Sequence, residues 1–332
     1  MITISKDKSL QIKGIVIIMM IFLHLFNKNV DLCVNLIYIG NEPFAKWLSN
    51  ACGPVGFFVF LSGYGLAYIY EKGHLSFAKQ LTRIFKLYMH YWIILTVFIS
   101  IGCCMYTDRY PGSWQRILQN MTGLKCDYNY EMWFLFPYSL MALTSLYIIR
   151  LIEKIGYMKA VVITMFINVG ASYFISRYHA TILANNAVVN MCVVYAQFLY
   201  WFTIGVTFYR ADYVIKKEFP TWLILLIMAI AIIFVATINI SVTYIIYVPL
   251  MIFLLCQLSY PKWMESILTE LGKKSMPMWM IHTWYCNYLF REQVYSLKYP
   301  IIIFLSVVVI SYLTAIPFQR ITKKILALVN IN

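Results

Sequence analysis

Charge is what this chain has least of. Asp, Glu, Lys and Arg make up 12% of its 332 residues, about half the ~25% of a soluble domain. So few charges cannot cover a water-facing surface. Acids are scarcest, 13 against 27 bases. The eight cysteines form no CxxC pair and no zinc-like spacing, and no metal site is expected from them. They read as small apolar residues at helix contacts. No internal repeat and no low-complexity tract is present. The glycine-rich run over 53–65 has no phosphate-loop lysine, so it reads as a close-packed helix and not as a nucleotide cradle. A disordered chain is excluded from the other side, because 62% of the residues are hydrophobic and supply ample area to bury.

What is present is a series of long apolar runs. A helix needs about 20 apolar residues to cross the hydrocarbon core. Ten candidates fit, at 10–29, 53–70, 86–105, 132–149, 159–176, 190–209, 221–238, 242–259, 276–290 and 299–317. The break between the seventh and eighth rests only on Asn239, Ser241 and Thr243, which implies a tight helical hairpin. The expected fold is therefore all-α, a polytopic integral membrane protein with about ten transmembrane helices. One transmembrane domain over 1–332 accounts for the whole chain. Aromatics at 17% suit many helix ends at lipid–water interfaces.

The formal charge of +14 would suggest nucleic acid in a soluble protein. Here the bases lie in short segments between apolar runs, and membrane orientation explains them better. With the N-terminus inside, alternate segments hold 19 of the 27 bases, among them Lys72, Lys79, Arg150, Arg210, Lys216, Lys217 and Lys324. The other segments hold eight. Both termini are expected to be cytoplasmic. The first apolar run has a basic flank but no cleavage pattern after it.

Ionisable groups inside spans are costly, so each asks for a reason. His24 lies deep in the first apolar run. Lys13 precedes it by 11 residues, within 20° of three full turns, so the two share a face about 16–17 Å apart along the axis. Lys13 then sits at the inner mouth and His24 near mid-membrane, where a neutral imidazole can accept a proton. A structural histidine with Lys13 as a snorkelling anchor explains the residues equally well. His282 is the second such group. Ser275 reads as an N-cap with Pro277 in the first turn. Ser275, Trp279 and His282 then line one face, with His282 at roughly the depth of His24. That match suggests one polar cavity. Arg83 and Lys86 form an Arg-x-x-Lys pair at the inner entrance of the third span. It suits phosphates of a nucleotide-like ligand, and equally a plain positive-inside charge. Glu131, before Trp133, starts the fourth span, as a hydroxyl contact or as an acid favoured by the helix dipole.

At these residues the chain resembles membrane acyltransferase family 3, a bacterial group that O-acylates cell-surface glycans. Lys13 and Gly14, with ten residues between Lys13 and His24, look like the family's basic-x10-His signature. Phe57-Phe58-Val59-Phe60-Leu61-Ser62-Gly63-Tyr64 resembles its second span. Arg83 and Lys86 are similar to its Arg-x-x-Arg element. Trp133-Phe134-Leu135 looks like its fourth span, and Trp279-Met280-Ile281-His282 like its late Tyr-Leu-x-His. The resemblance covers 10–290. Lys stands at 13 and 86 where Arg is common, which keeps the charge but loses the bidentate fork. Trp279 stands where Tyr is common.

The resemblance implies an O-acetyltransferase of the short, stand-alone form in the bacterial cytoplasmic membrane. It implies acetyl-CoA, or another acyl-CoA, as a cytoplasmic donor substrate, with no permanently bound cofactor. The acceptor it implies is a glycan of the cell envelope, lipid-linked or not. In that scheme His24 is the general base, Lys13, Arg83 and Lys86 hold the donor's phosphates, and Glu131, Trp133, Ser275 and His282 meet the acceptor. The rival reading is a transporter or flippase for a lipid-linked glycan, which mid-membrane polar residues also suit.

Overall fold

The structure, a computed structural model, describes residues 4–210 and 219–329. Lys216, Lys217 and the C-terminal Asn332 lie outside them. Of the described residues, 81% are helical. The helices among the described residues are α1 (Lys6–Phe26), α2 (Phe44–Ser49), α3 (Pro54–Glu71), α4 (Phe77–Met105), α5 (Trp114–Thr122), α6 (Leu135–Ile155) and α7 (Tyr157–Tyr178). There follow α8 (Ala187–Arg210), α9 (Thr221–Ile238), α10 (Tyr244–Gln257), α11 (Lys262–Thr283), α12 (Arg291–Tyr295) and α13 (Pro300–Leu328). The strands are β1 (Tyr38–Ile39) and β2 (Glu42–Pro43), an antiparallel pair.

Local signals set the boundaries. Ser5 caps α1, its side chain accepting from the Lys8 N–H at 3.1 Å. Gly156, at φ +95°, separates α6 from α7. Asn239, left-handed at φ 49°, ends α9 before a 3₁₀ turn at Ser241–Thr243, so the hairpin expected there is present.

A helix stands at each of the ten expected spans. Eight stretches among the described residues are long and apolar enough to cross a membrane, which makes this an all-α, multi-pass membrane protein. The other two differ from expectation. Helix α10 has only 14 residues, short of the ~20 a straight crossing needs. Helix α11 begins at Lys262, well before 276. Its first half is amphipathic, burying Leu268 and Leu271 while Lys262, Glu265 and Glu270 stay outside the buried set. That packing carries the helix through Pro277. Between the third and fourth expected spans lies α5, capped by Ser113 and ended by Gly123 at φ +74°.

The chain divides into two units, described separately. Among the described residues the first holds 55–88 and 112–210, the second 4–54, 89–111 and 219–329. In the first, α3 meets α8 at two glycines. A Cβ on Gly63 would strike the Phe202 carbonyl, and one on Gly205 would strike the Phe60 carbonyl. The glycine-rich run is thus a close helix contact, as its composition implied. At the far ends of these helices Arg210 bridges Glu153 at 3.1 Å and Glu71 at 3.7 Å. The Tyr209 hydroxyl donates to Glu71 and the Tyr70 hydroxyl to Glu153.

The second unit repeats the device between α1 and α11. A Cβ on Gly14 would strike the Leu268 carbonyl, and one on Gly272 the Leu10 carbonyl. Lipid gives apolar helices no hydrophobic reason to associate, so close packing at small residues is what holds them. On its other side α11 is tied to α13. Lys274 Nζ donates to Gln319 Oε1 at 2.6 Å, and Gln319 Nε2 donates to the Lys273 carbonyl at 3.0 Å.

Candidate active site

His24 and His282 meet in the second unit, their ring centroids 5.2 Å apart with the planes tilted by 42°. The chain separates them by more than 250 residues, and the glycine contact brings them together. Gly14 precedes His24 by ten residues, and Gly272 precedes His282 by ten. The helices run in the same direction from that contact, as the order of contacts along both shows. Each imidazole is therefore carried about 15 Å past it and arrives at the same level. The two glycines are the positioning residues that motif reading undervalued; their equal spacing from the two histidines was the available signal.

The surroundings hold both rings in place. His282 is fully buried at 0% exposure, and its Nδ1 lies 3.1 Å from the Met278 carbonyl. Trp284, two residues on, starts a π-helical turn, Trp284–Tyr288, a form frequent at functional sites. Its ring stacks on Phe98 at 5.1 Å, nearly parallel. The Tyr285 hydroxyl lies 2.8 Å from Thr314 Oγ1 on α13. On the other helix, the Tyr295 hydroxyl donates to the Leu25 carbonyl at 2.7 Å, next to His24. Beyond it Arg291 Nη2 donates to Asn29 Oδ1 at 2.8 Å, and Asn29 Nδ2 to Asn287 Oδ1 at 2.9 Å. His24 itself is half-buried.

The remaining expected residues fall as follows. Lys13 is on α1, half-buried, three turns before His24. Ser275 is not an N-cap. It lies inside α11, where its hydroxyl donates to the Gly272 carbonyl at 2.9 Å, because the helix already has its start at Lys262. Trp279 is buried on the same helix. Arg83, Lys86, Glu131 and Trp133 belong to the first unit. Arg83 is exposed and Lys86 half-buried, both on α4, which begins at Phe77, ahead of the span expected from 86. Glu131 is in the first turn of the 3₁₀ segment Tyr130–Phe134 that leads into α6, where an acid suits the helix dipole. The Trp133 ring packs against Phe134 and Phe198, at 6.2 and 6.3 Å.

The fold is thus a multi-pass all-α frame that carries a pair of histidines between apolar helices. The match to known families agrees: an acyltransferase domain covers residues 10–318, nearly the whole chain. The protein belongs to acyltransferase family 3 and is a membrane acyltransferase. No curated protein and no solved structure matches it.

Proposed function

We propose that the protein moves an acetyl group from cytoplasmic acetyl-CoA to a hydroxyl of a cell-envelope glycan, with His24 as general base. The observation that carries this reading is the pairing of His24 with His282 in a chain of this family. A ring nitrogen of His24 takes the hydroxyl proton as the sugar oxygen attacks the thioester carbonyl. The tetrahedral intermediate then collapses, the C–S bond breaks, and the departing thiolate recovers the proton from the imidazolium. The products are the O-acyl glycan and free CoA. The reading places the protein in the bacterial cytoplasmic membrane with ten crossings and both ends cytoplasmic. In the reading, Lys13 of the second unit and Arg83 and Lys86 of the first are each donor contacts, and Glu131 and Trp133 of the first unit and Ser275 and His282 of the second are each acceptor contacts.

The direct test is to incubate the purified protein with acetyl-CoA labelled in the acetyl group and an envelope glycan. Label on the glycan supports the reading. Translocation of unlabelled, unmodified glycan would favour a flippase instead. A reporter fused after Asn332 tests the orientation: it should be active only in a cytoplasmic sense, and periplasmic-type activity would make the number of crossings odd.

The donor site has its own test. Exposed ion pairs are worth about 0–1 kcal/mol, but several cations converging on one phosphate exceed that. Arg83→Ala should raise KM for acetyl-CoA more than KM for the glycan. An unchanged donor KM in a well-folded variant would return Arg83 to an orientation charge.

A further inference from the structure

We infer that the acceptor is an acidic glycan, whose carboxylates or phosphomonoesters are read by Arg291 and Arg109 at the end of the second unit beyond the histidine pair; the inference rests on acyl transfer taking place at that pair. Past the two histidines the chain keeps a third matched level. Asn29 follows His24 by five residues, and Asn287 follows His282 by five. The two side-chain amides are hydrogen-bonded at 2.9 Å. Glycines thus mark one side of the imidazoles and asparagines the other, the asparagines roughly 7 Å on. In the proposed orientation the asparagine level faces outward, where an envelope glycan arrives.

Two ties fix Arg291 at that level. Its Nη2 donates to Asn29 Oδ1 at 2.8 Å, and Asn29 is buried, so an exposed guanidinium stands on a buried base. Arg291 also opens α12, whose last residue, Tyr295, donates to the Leu25 carbonyl at 2.7 Å, one residue from His24. Asn29 uses one of the five N–H donors of this guanidinium. Among the described residues no carboxylate pairs with it. Arg109 reaches the same π-helical turn from the chain after α4. Its guanidinium carbon lies 5.2 Å from the centre of the Tyr288 ring and 5.5 Å from that of Tyr110. Aromatic faces hold a cation without neutralising it. A guanidinium presents a planar fork that matches carboxylate and phosphate, whereas a neutral sugar needs no such partner. The hydroxyl to be acylated can then lie at the imidazoles while an acidic substituent of the same or the next sugar meets the arginines.

The test uses full-length protein in proteoliposomes, labelled acetyl-CoA and the host cell's envelope glycan, untreated or neutralised. Carbodiimide amidation neutralises carboxylates and a phosphomonoesterase removes phosphates, so the treatment that matters names the acidic group. Wild type should lose ~10-fold in kcat/KM on the neutralised glycan, mostly through KM. Arg291→Gln and Arg109→Gln should each raise KM for the untreated glycan ~10-fold and leave KM for acetyl-CoA unchanged. Each should narrow the difference between the two glycan forms, and the double variant should abolish it. Glutamine at 291 keeps a donor for Asn29, and a melt checks the fold; if one variant does not fold, the other decides. Equal use of both glycan forms by wild type would overturn the inference while leaving acyl transfer in place, and so would variants that lose equally on both. A loss that follows anionic phospholipid in the vesicles, and not the charge of the glycan, would overturn it too and assign the arginines to lipid headgroups. Absence of label on every glycan would remove the proposed function itself.

Discussion

Replacing His24 with alanine should lower turnover by 10²–10⁴-fold, the usual contribution of a positioned general base. At 1.36 kcal/mol per decade that is a loss of about 3–5 kcal/mol of transition-state stabilisation. The variant should still insert and fold, because the substitution takes a costly polar group out of an apolar helix. A histidine kept only for structure would behave oppositely, with less folded protein or a lower melting temperature but near-normal turnover of what survives. Turnover per folded molecule, with a melt alongside, distinguishes the two. Retention of more than about a tenth of wild-type turnover would mean that another group removes the proton, with His282 and Glu131 next in line.

Alanine at Gly14 or at Gly272 should be nearly as damaging, by another route. The added Cβ would meet the backbone carbonyl of Leu268 or of Leu10, and backbone inside a helix cannot swing aside as a side chain can. Overpacking of this kind costs about 1–3 kcal/mol, and here it would push α1 from α11 and draw the imidazoles apart. Both variants should melt earlier and lose activity beyond the loss of folded protein. Gly65→Ala is the control: a Cβ there would meet nothing within 4 Å, and Ala gains roughly 0.5–1 kcal/mol over Gly inside a helix. An unchanged melting temperature for Gly14→Ala would show that the two helices are not held at that contact.

Much of the frame is legible in the residues themselves. Apolar runs mark all ten helical segments, and Asn239 marks the hairpin because a non-glycine residue that tolerates a left-handed turn stands where the hydropathy dips. The start of α11 is not legible. Lys273, Lys274, Ser275 and Pro277 imitate the beginning of a helix, whereas Ser275 bonds back to Gly272 in one already under way. Only the burial of Leu268 and Leu271 reveals that. Helix α5 and the strands are too short for a periodic pattern. The matching depths of His24 and His282 can be read from spacing, but their contact cannot. It depends on which helices pair across the chain, and that pairing is decided by Gly14 and Gly272. Arg210 shows the same limit. It counts as one more inner cation by position, and the salt bridges to Glu71 and Glu153 appear only when three helix ends converge.

The equal ten-residue arms from glycine to histidine set the ring spacing by difference. A strain shared by α1 and α11, such as stretching or tilting with a change in bilayer thickness, moves both rings together and cancels from their separation. A slide of one helix along the other, or a change in their crossing angle, alters it, and the carbonyls seated against Gly14 and Gly272 oppose the slide. Two antiparallel helices crossing at the same point would carry their arms in opposite directions, and the same strain would drive the rings apart. The parallel pair thus works as a differential gauge, keeping the imidazoles in register in a membrane whose thickness fluctuates.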